Sequence, residues 1–245
     1  MKLLCIMLLS GTALAQKFDA ASVKPFDPAK ARAEAKRRIF TLTPGGVTAY
    51  GVTLKEVIAA AYGVKDYQIA GPSWLTSEGF EIIAKTAAPA TDDQLRVMLQ
   101  DLLADRFRLV SHREQRELPV YALLAGKKTS ALQEAKADAE AKLTFQNGGF
   151  RFQNYSMGRF AEYLTRMRGI NRPVLDLTGM EGIYNFAIVF ADSADPAEVK
   201  MAVERALTDD SILAVVGSQL GLKIESRKMP QDMLIIDGIE RPTAN

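Results

Sequence analysis

Apolar residues along this chain follow two periods, helical and strand-like, and the order in which the periods alternate is written twice. The first pass opens at the turn Gly45-Gly46 and continues as a strand pattern through residues 47–50. Thr53 stands at a helix N-cap position, its hydroxyl oxygen placed to accept a first-turn N–H, and Leu54, Val57, Ile58 and Ala61 share one helical face as far as Gly63. Residues 67–70 read as a strand, Gly71-Pro72 as a turn and residues 80–84 as the antiparallel partner. Thr91 or Asp92 then caps a helix in which Leu95, Met98, Leu99, Leu102 and Leu103 keep a 3.6-residue spacing, with Asp92 and Asp93 at the positive end of its dipole. Residues 107–111 and 120–124 predict a hairpin around the charged turn 112–118.

The second pass repeats the order. Gly148-Gly149 precedes a strand at residues 150–152, and Ser156 caps a helix bearing Met157, Phe160, Ala161, Leu164 and Met167. A strand at 174–176, a turn at 178–182 and a strand at 184–190 follow; after an irregular stretch over 191–207, a helix capped at Asp209 or Asp210 carries Ile212, Leu213, Val216 and Leu220. Strands at 222–226 and 233–236 close the pass. Thr91-Asp92-Asp93-Gln94-Leu95 is echoed by Thr208-Asp209-Asp210-Ser211-Ile212, and the two predicted hairpins share a basic stretch ahead of Pro119 and Pro230. The pattern predicts an α+β fold of internally duplicated β-α-β-β-α-β-β lobes with small, mainly antiparallel sheets. Lobe 1 spans 45–125, a Lys-, Ala- and Glu-rich linker 126–147 and lobe 2 148–245.

Ahead of the lobes, residues 16–44 hold an edge-strand pattern over 18–25 that ends at Pro25, then a charged, alanine-rich helix or loose connection over 27–38. Arg32, Lys36, Arg37 and Arg38 in it read as a solvated face in preference to a phosphate or membrane patch. Residues 1–15 have Lys2, an apolar run from Leu3 to Leu9 and Ala13-Leu14-Ala15 before Gln16, the pattern of a cleaved secretory signal. The run is shorter than the ~20 residues of a bilayer span. The expected location is therefore extracytoplasmic, periplasmic or secreted, with no membrane span after signal removal.

Composition narrows the chemistry. Of the 245 residues, 48% are hydrophobic and 24% charged, an ordinary globular balance. The net charge of +2 gives no electrostatic case for nucleic acid. The single cysteine, Cys5, lies in the signal and there is one histidine, His112, so a His/Cys zinc site or a thiol nucleophile is not expected. Neither S-x-x-K, G-x-S-x-G, a phosphate loop, a dinucleotide fingerprint nor an EF-hand loop occurs, and no cofactor is expected. His112 reads as a turn histidine beside Arg113. Asp176, Glu181 and Glu81 are the carboxylates on which an alternative, a hydrolase of envelope polymers, would rest, although Asp176 before Thr178-Gly179 reads first as a turn-former. No catalytic residue is assigned. Trp74, Tyr67 and Arg113 are the candidate partner-binding residues, with Trp74 equally suited to closing a core.

Several strings together carry a resemblance: Ala61-Tyr62-Gly63-Val64, Gln68-Ile69-Ala70-Gly71-Pro72-Ser73-Trp74-Leu75, Leu103-Ala104-Asp105-Arg106-Phe107, Arg172-Pro173-Val174-Leu175-Asp176-Leu177-Thr178-Gly179 and Gln219-Leu220-Gly221-Leu222-Lys223. Over nearly all of its length after the signal, the chain resembles a large family of uncharacterised exported proteins expanded in soil acidobacteria. Domains of that family also occur fused behind membrane metallopeptidases similar to antibiotic-sensing receptors, so the resemblance implies a sensing or binding module. The chain departs from the family pattern at Asn185, where aspartate is usual, and at Gly238, where histidine is common. Each half also resembles, more weakly, the short amino-terminal domains of secretins and TonB-dependent transporters. The resulting expectation is an exported, non-catalytic binding or interaction protein for an envelope protein, peptide or glycan, engaged at exposed strand edges or a groove between the copies.

Overall fold

The computed structural model describes residues 17–127, 131–136, 140–146, 148–167, 169–191, 193, 195–206 and 211–242. Among these it is an α+β fold with seven helices and twelve strands in three small sheets. The predicted signal, the expected cap at Thr208–Asp210 and the start of the 126–147 linker beyond Lys127 lie outside the described residues, wholly or in part. The chain forms two compact units, one from residues up to Gln115 together with Asp232 onward, the other Arg116–Gln231.

In chain order the first unit holds β1 (Ala20–Pro25), α1 (Pro28–Ala33), β2 (Ile39–Thr43), β3 (Gly46–Thr53), α2 (Leu54–Tyr62), β4 (Ile69–Ala70), α3 (Trp74–Ser77), β5 (Gly79–Lys85) and α4 (Asp92–Phe107). Its main sheet is antiparallel in the order β1-β5-β3-β2. Alternation along β3 and β5 sends Val47, Ala49, Phe80, Ile82 and Ala84 into the core, where they meet Leu54, Val57 and Ile58 of α2 and Leu95, Leu99 and Leu103 of α4. Both helices start as the pattern predicts. Thr53 and Glu56 form a reciprocal capping box, as do Thr91 and Gln94. Gly63 ends α2 in the left-handed conformation at φ +63°.

The second unit continues with β7 (Gln133–Glu134), β8 (Lys142–Gln146), β9 (Gly149–Ser156), α5 (Met157–Thr165), β10 (Val174–Asp176), β11 (Ile183–Val189), α6 (Pro196–Ala206) and α7 (Ser211–Leu220). Its antiparallel sheet, β7-β11-β9-β8, repeats the first strand for strand. Phe152 sits at the middle of this core, stacked on Phe186 with centroids 4.8 Å apart and edge-on to Phe160 and Tyr155 at 5.1 Å. The repetition reaches backbone detail. Each sheet has a bulge opposite its third element, and the extra residue is left-handed in both: Gly51 at φ +65° and Asn154 at φ +57°. Two residues later Thr53 or Ser156 caps a nine-residue helix, and Thr86 and Phe190 donate their N–H to the carbonyls of Gly45 and Gly148. Gly46 and Gly149 must lack side chains, because a Cβ on either would overlap the carbonyl of Ala84 or Ile188.

Two long strands complete both units. The residues predicted as hairpins are instead single strands, β6 (Val110–Ala125) and β12 (Leu222–Gly238), which are hydrogen-bonded neighbours in the third sheet, β10-β6-β12-β4. The charged segments 112–118 and 225–232 contain no glycine or Asn-Gly turn, and a strand tolerates solvated side chains while its backbone is paired. The chain enters the second unit inside β6 and leaves it inside β12. Tyr121 and Leu123 of β6 thus join the second core, while Leu234 and Ile236 of β12 join the first. β10 pairs parallel to β6 at Tyr121, Ala122 and Leu123, and β4 pairs parallel to β12 at Leu234 and Ile235.

Other expectations are corrected by the same pairings. β4 is not the antiparallel partner of residues 80–84; that place is taken by β1 and β3. The predicted edge strand over 18–25 is found as β1, and β2, which the pattern does not predict, forms the opposite edge of the first sheet. Residues 126–147 supply β7 and the edge strand β8, and the stretch read as irregular contains α6. The repeated unit is consequently β-β-α-β-β-α-β.

Leu234 is 1% exposed in the first core. Leu234→Ala is expected to destabilise that unit by about 2–5 kcal/mol. Urea unfolding followed through Trp74, the one tryptophan, reports this as an earlier midpoint; an unchanged midpoint would contradict the assignment of β12 to that core.

Candidate binding surfaces

The side chains singled out in the sequence are held in separate local settings. Trp74 opens α3, packs against the first core and lies under Arg241, whose guanidinium carbon is 4.8 Å from the ring centroid. Arg241 is fixed in turn by a forked pairing to Glu78, at 2.6 and 2.9 Å, which holds that carboxyl below its ordinary range. Trp74 therefore closes the core beneath the C-terminal tail. Tyr67 is half-buried in the 3-10 turn Asp66–Gln68. Arg113 donates to the Tyr62 carbonyl at 3.1 Å, and Gln100 donates to Ala61 at 2.7 Å, so both serve the otherwise unpaired carbonyls at the end of α2.

The carboxylates behind the hydrolase alternative are also placed. Asp176 accepts from the N–H and hydroxyl of Thr178 at 2.9 and 2.7 Å, the turn-forming role expected of it. Glu181 is exposed in the same unit, and Glu81 lies in β5 of the first. Asn185 accepts the N–H of the bulge residue Asn154 at 2.9 Å, a task for which a neutral carbonyl oxygen suffices. Gly238 ends β12 beside Val110. Among the described residues no polar or charged side chain is fully buried, and no three metal-ligating side chains gather.

His112 is not in a turn but near the start of β6, with Nδ1 2.8 Å from Asp237 of β12 and Nε2 3.8 Å from Glu114. The hydrogen bond to Asp237 raises the imidazole pKa; slight desolvation opposes this, and the charges of Asp237 and Glu114 add to the rise. All three groups are about half exposed, so the pair is a solvated cross-strand clasp.

A concave surface lies in the second unit, where the two copies differ. The first unit connects β5 to α4 through residues 86–91, whereas the second inserts α6 between β11 and α7. Val199, Ala202, Val203 and Ala206 share one face of α6, and only Ala206 of these is buried. Across from that face stands Phe145 on β8, 52% exposed although its ring meets Phe150 edge-on at 5.2 Å. Gly148 lets the β8–β9 turn approach: its Cβ would overlap the Ala191 carbonyl and lie 3.5 Å from Val199. The result is an open groove of about 730 Å³ lined by Phe145, Gly148, Ser193, Val199, Val203 and Lys200. Sequence reading missed it because its walls fall in stretches taken as linker and as irregular. The signal available was the i, i+3, i+4, i+7 spacing of Val199, Ala202, Val203 and Ala206.

One pH dependence follows from the clasp. The folded pKa of His112 lies above the ordinary histidine value of about 6.5. Its contribution to stability is then fully present below that value and is lost as pH rises through the folded pKa. An NMR titration of the single histidine should give a midpoint above 6.5 that Asp237→Asn moves down; an unmoved midpoint would remove Asp237 as the cause.

No curated protein and no solved structure matches the chain significantly. A family described as protein of unknown function (DUF3738) matches residues 55–239, about three quarters of the sequence, and the chain belongs to that family.

Proposed function

We propose that this is an exported, non-catalytic binding module whose second unit takes an extended peptide along the free edge of β8, seating an apolar side chain in the groove beneath α6. The observation that carries the reading is the difference between the copies. Between β11 and α7 the second unit carries an amphipathic helix where the first, alike in its bulge and helix caps, has only residues 86–91, and that helix walls the groove. Among the described residues β8 pairs only with β9, which leaves its other side open to an added strand. Phe145, Val199 and Val203 supply an apolar seat, and the exposed Lys200–Glu204 pair supplies a polar rim. Export rests on the signal pattern of residues 1–15. The resemblance to domains that follow membrane metallopeptidases agrees with a sensing or binding role. Asp176, engaged in its own turn, does not favour the hydrolase alternative.

Panning a random peptide library against the protein is expected to enrich extended sequences carrying an aromatic or branched aliphatic residue. Phe145→Ser and Val203→Asp, both at solvent-accessible positions, should each weaken the enriched peptide at least about tenfold, equivalent to about 1.4 kcal/mol. Amide shifts on titration should centre on residues 142–146. Binding indifferent to both substitutions would reject the groove.

A further inference from the structure

We infer that the segment from Lys30 to Ile39 in the first unit is a docking surface for a bilayer rich in anionic phospholipid. Within residues 30–38 stand five basic residues and one acidic, Glu34, while the rest of the chain has 26 basic against 28 acidic. The positive charge of the protein is thus concentrated in nine residues. Lys30, Arg32, Lys36, Arg37 and Arg38 are all exposed, and among the described residues Arg32 and Arg37 have no ion pair. Lys30 and Lys36 meet Glu34, and Arg38 meets Glu56, with cation side chains 50–64% exposed. Such solvated pairs exchange readily for a phosphate oxygen. Glu81, facing Lys36, and Asp27, which accepts the Lys30 N–H at 3.2 Å, are further carboxylates bordering the patch.

The segment is anchored in place. Phe26, four residues before Lys30, donates its N–H to the Gly79 carbonyl at 2.9 Å and meets Tyr50 edge-on at 5.2 Å. Its ring occupies a notch that exists because Gly51 and Gly79 lack side chains: a Cβ on either would stand 3.1–3.2 Å from it. Lys36 then lies over the Tyr50 ring at 5.3 Å. Ile39, directly after the last arginine and across from Tyr50 in the sheet, is 47% exposed. Cations beside an exposed aliphatic residue are the combination that holds a protein at a headgroup layer, with charge attracting and the apolar group entering the boundary. This inference uses a different unit and different residues from the peptide groove, so either can fail alone.

The test is co-sedimentation with vesicles of phosphatidylglycerol and phosphatidylcholine, using the exported form beginning at Gln16 with the full-length chain alongside. Binding to vesicles with half their lipid anionic should exceed binding to pure phosphatidylcholine at least tenfold and fall severalfold between 50 and 300 mM salt. Arg32→Gln with Arg37→Gln should remove most of it while the thermal midpoint stays unchanged, and Ile39→Ser should weaken it further. Inorganic phosphate should compete no better than chloride at equal ionic strength. Equal binding to neutral vesicles, no binding, or a double variant that binds like the parent would each overturn the inference.

Discussion

The first core of this protein cannot close on one contiguous stretch of sequence. The first unit has its sheet and both helices in place by Phe107, yet its core includes Leu234 and Ile236, supplied more than a hundred residues later by β12. The second unit begins with Tyr121 and Leu123 of β6, a strand that starts as part of the first. Burying side chains of this size contributes about 1.5–3 kcal/mol each, comparable with a large part of the stability of a small domain. The dependence of the first core on β12 goes with an extended, paired backbone through the polar middles of β6 and β12. Their backbones are committed to pairing whatever their side chains do.

Within that constraint the duplication is conservative where the backbone is strained and free elsewhere. A left-handed residue at the bulge is kept as Gly51 in one copy and Asn154 in the other, the two residue types for which that conformation is least unfavourable. Asn154 has its N–H satisfied by Asn185. The glycines that let strands approach, Gly46 and Gly149, are also kept. By contrast the cores are filled differently, with aliphatic side chains from α2 and α4 in the first and an aromatic cluster around Phe152 in the second. Bulge and cap geometry tolerates few residue types, whereas a core accepts many combinations of equal volume.

The copies part company on their surfaces, and both proposed binding regions arise there. α6 leaves Val199 and Val203 half-exposed opposite Phe145, an arrangement that stability alone would not favour. The segment after Phe26 gathers cations that Glu34 and Glu56 pair in part. Trp74, the residue most suggestive of a partner from sequence, is instead enclosed by Arg241 and the core.

Helix positions and their caps were legible in the sequence because they are local. Thr53, Thr91 and Ser156 bond to groups three residues away, and a 3.6-residue spacing marks the buried face whatever the partner. The α+β class and the duplication follow from the same local signals repeated in order. Strand partners were not legible, since pairing joins residues far apart and is recorded in neither strand alone. Hence Ile69 was expected to meet residues 80–84 and meets Leu234. Likewise, charged residues 112–118 read as a turn when their backbone is paired, and β8 hid in an apparent linker because an edge strand needs few apolar residues. By itself the sequence determined where α2, α4 and α5 begin and that the pattern occurs twice; only the tertiary structure decided which strands pair, which core each half of β6 and β12 completes, and where a groove opens, because those depend on distant chain segments meeting.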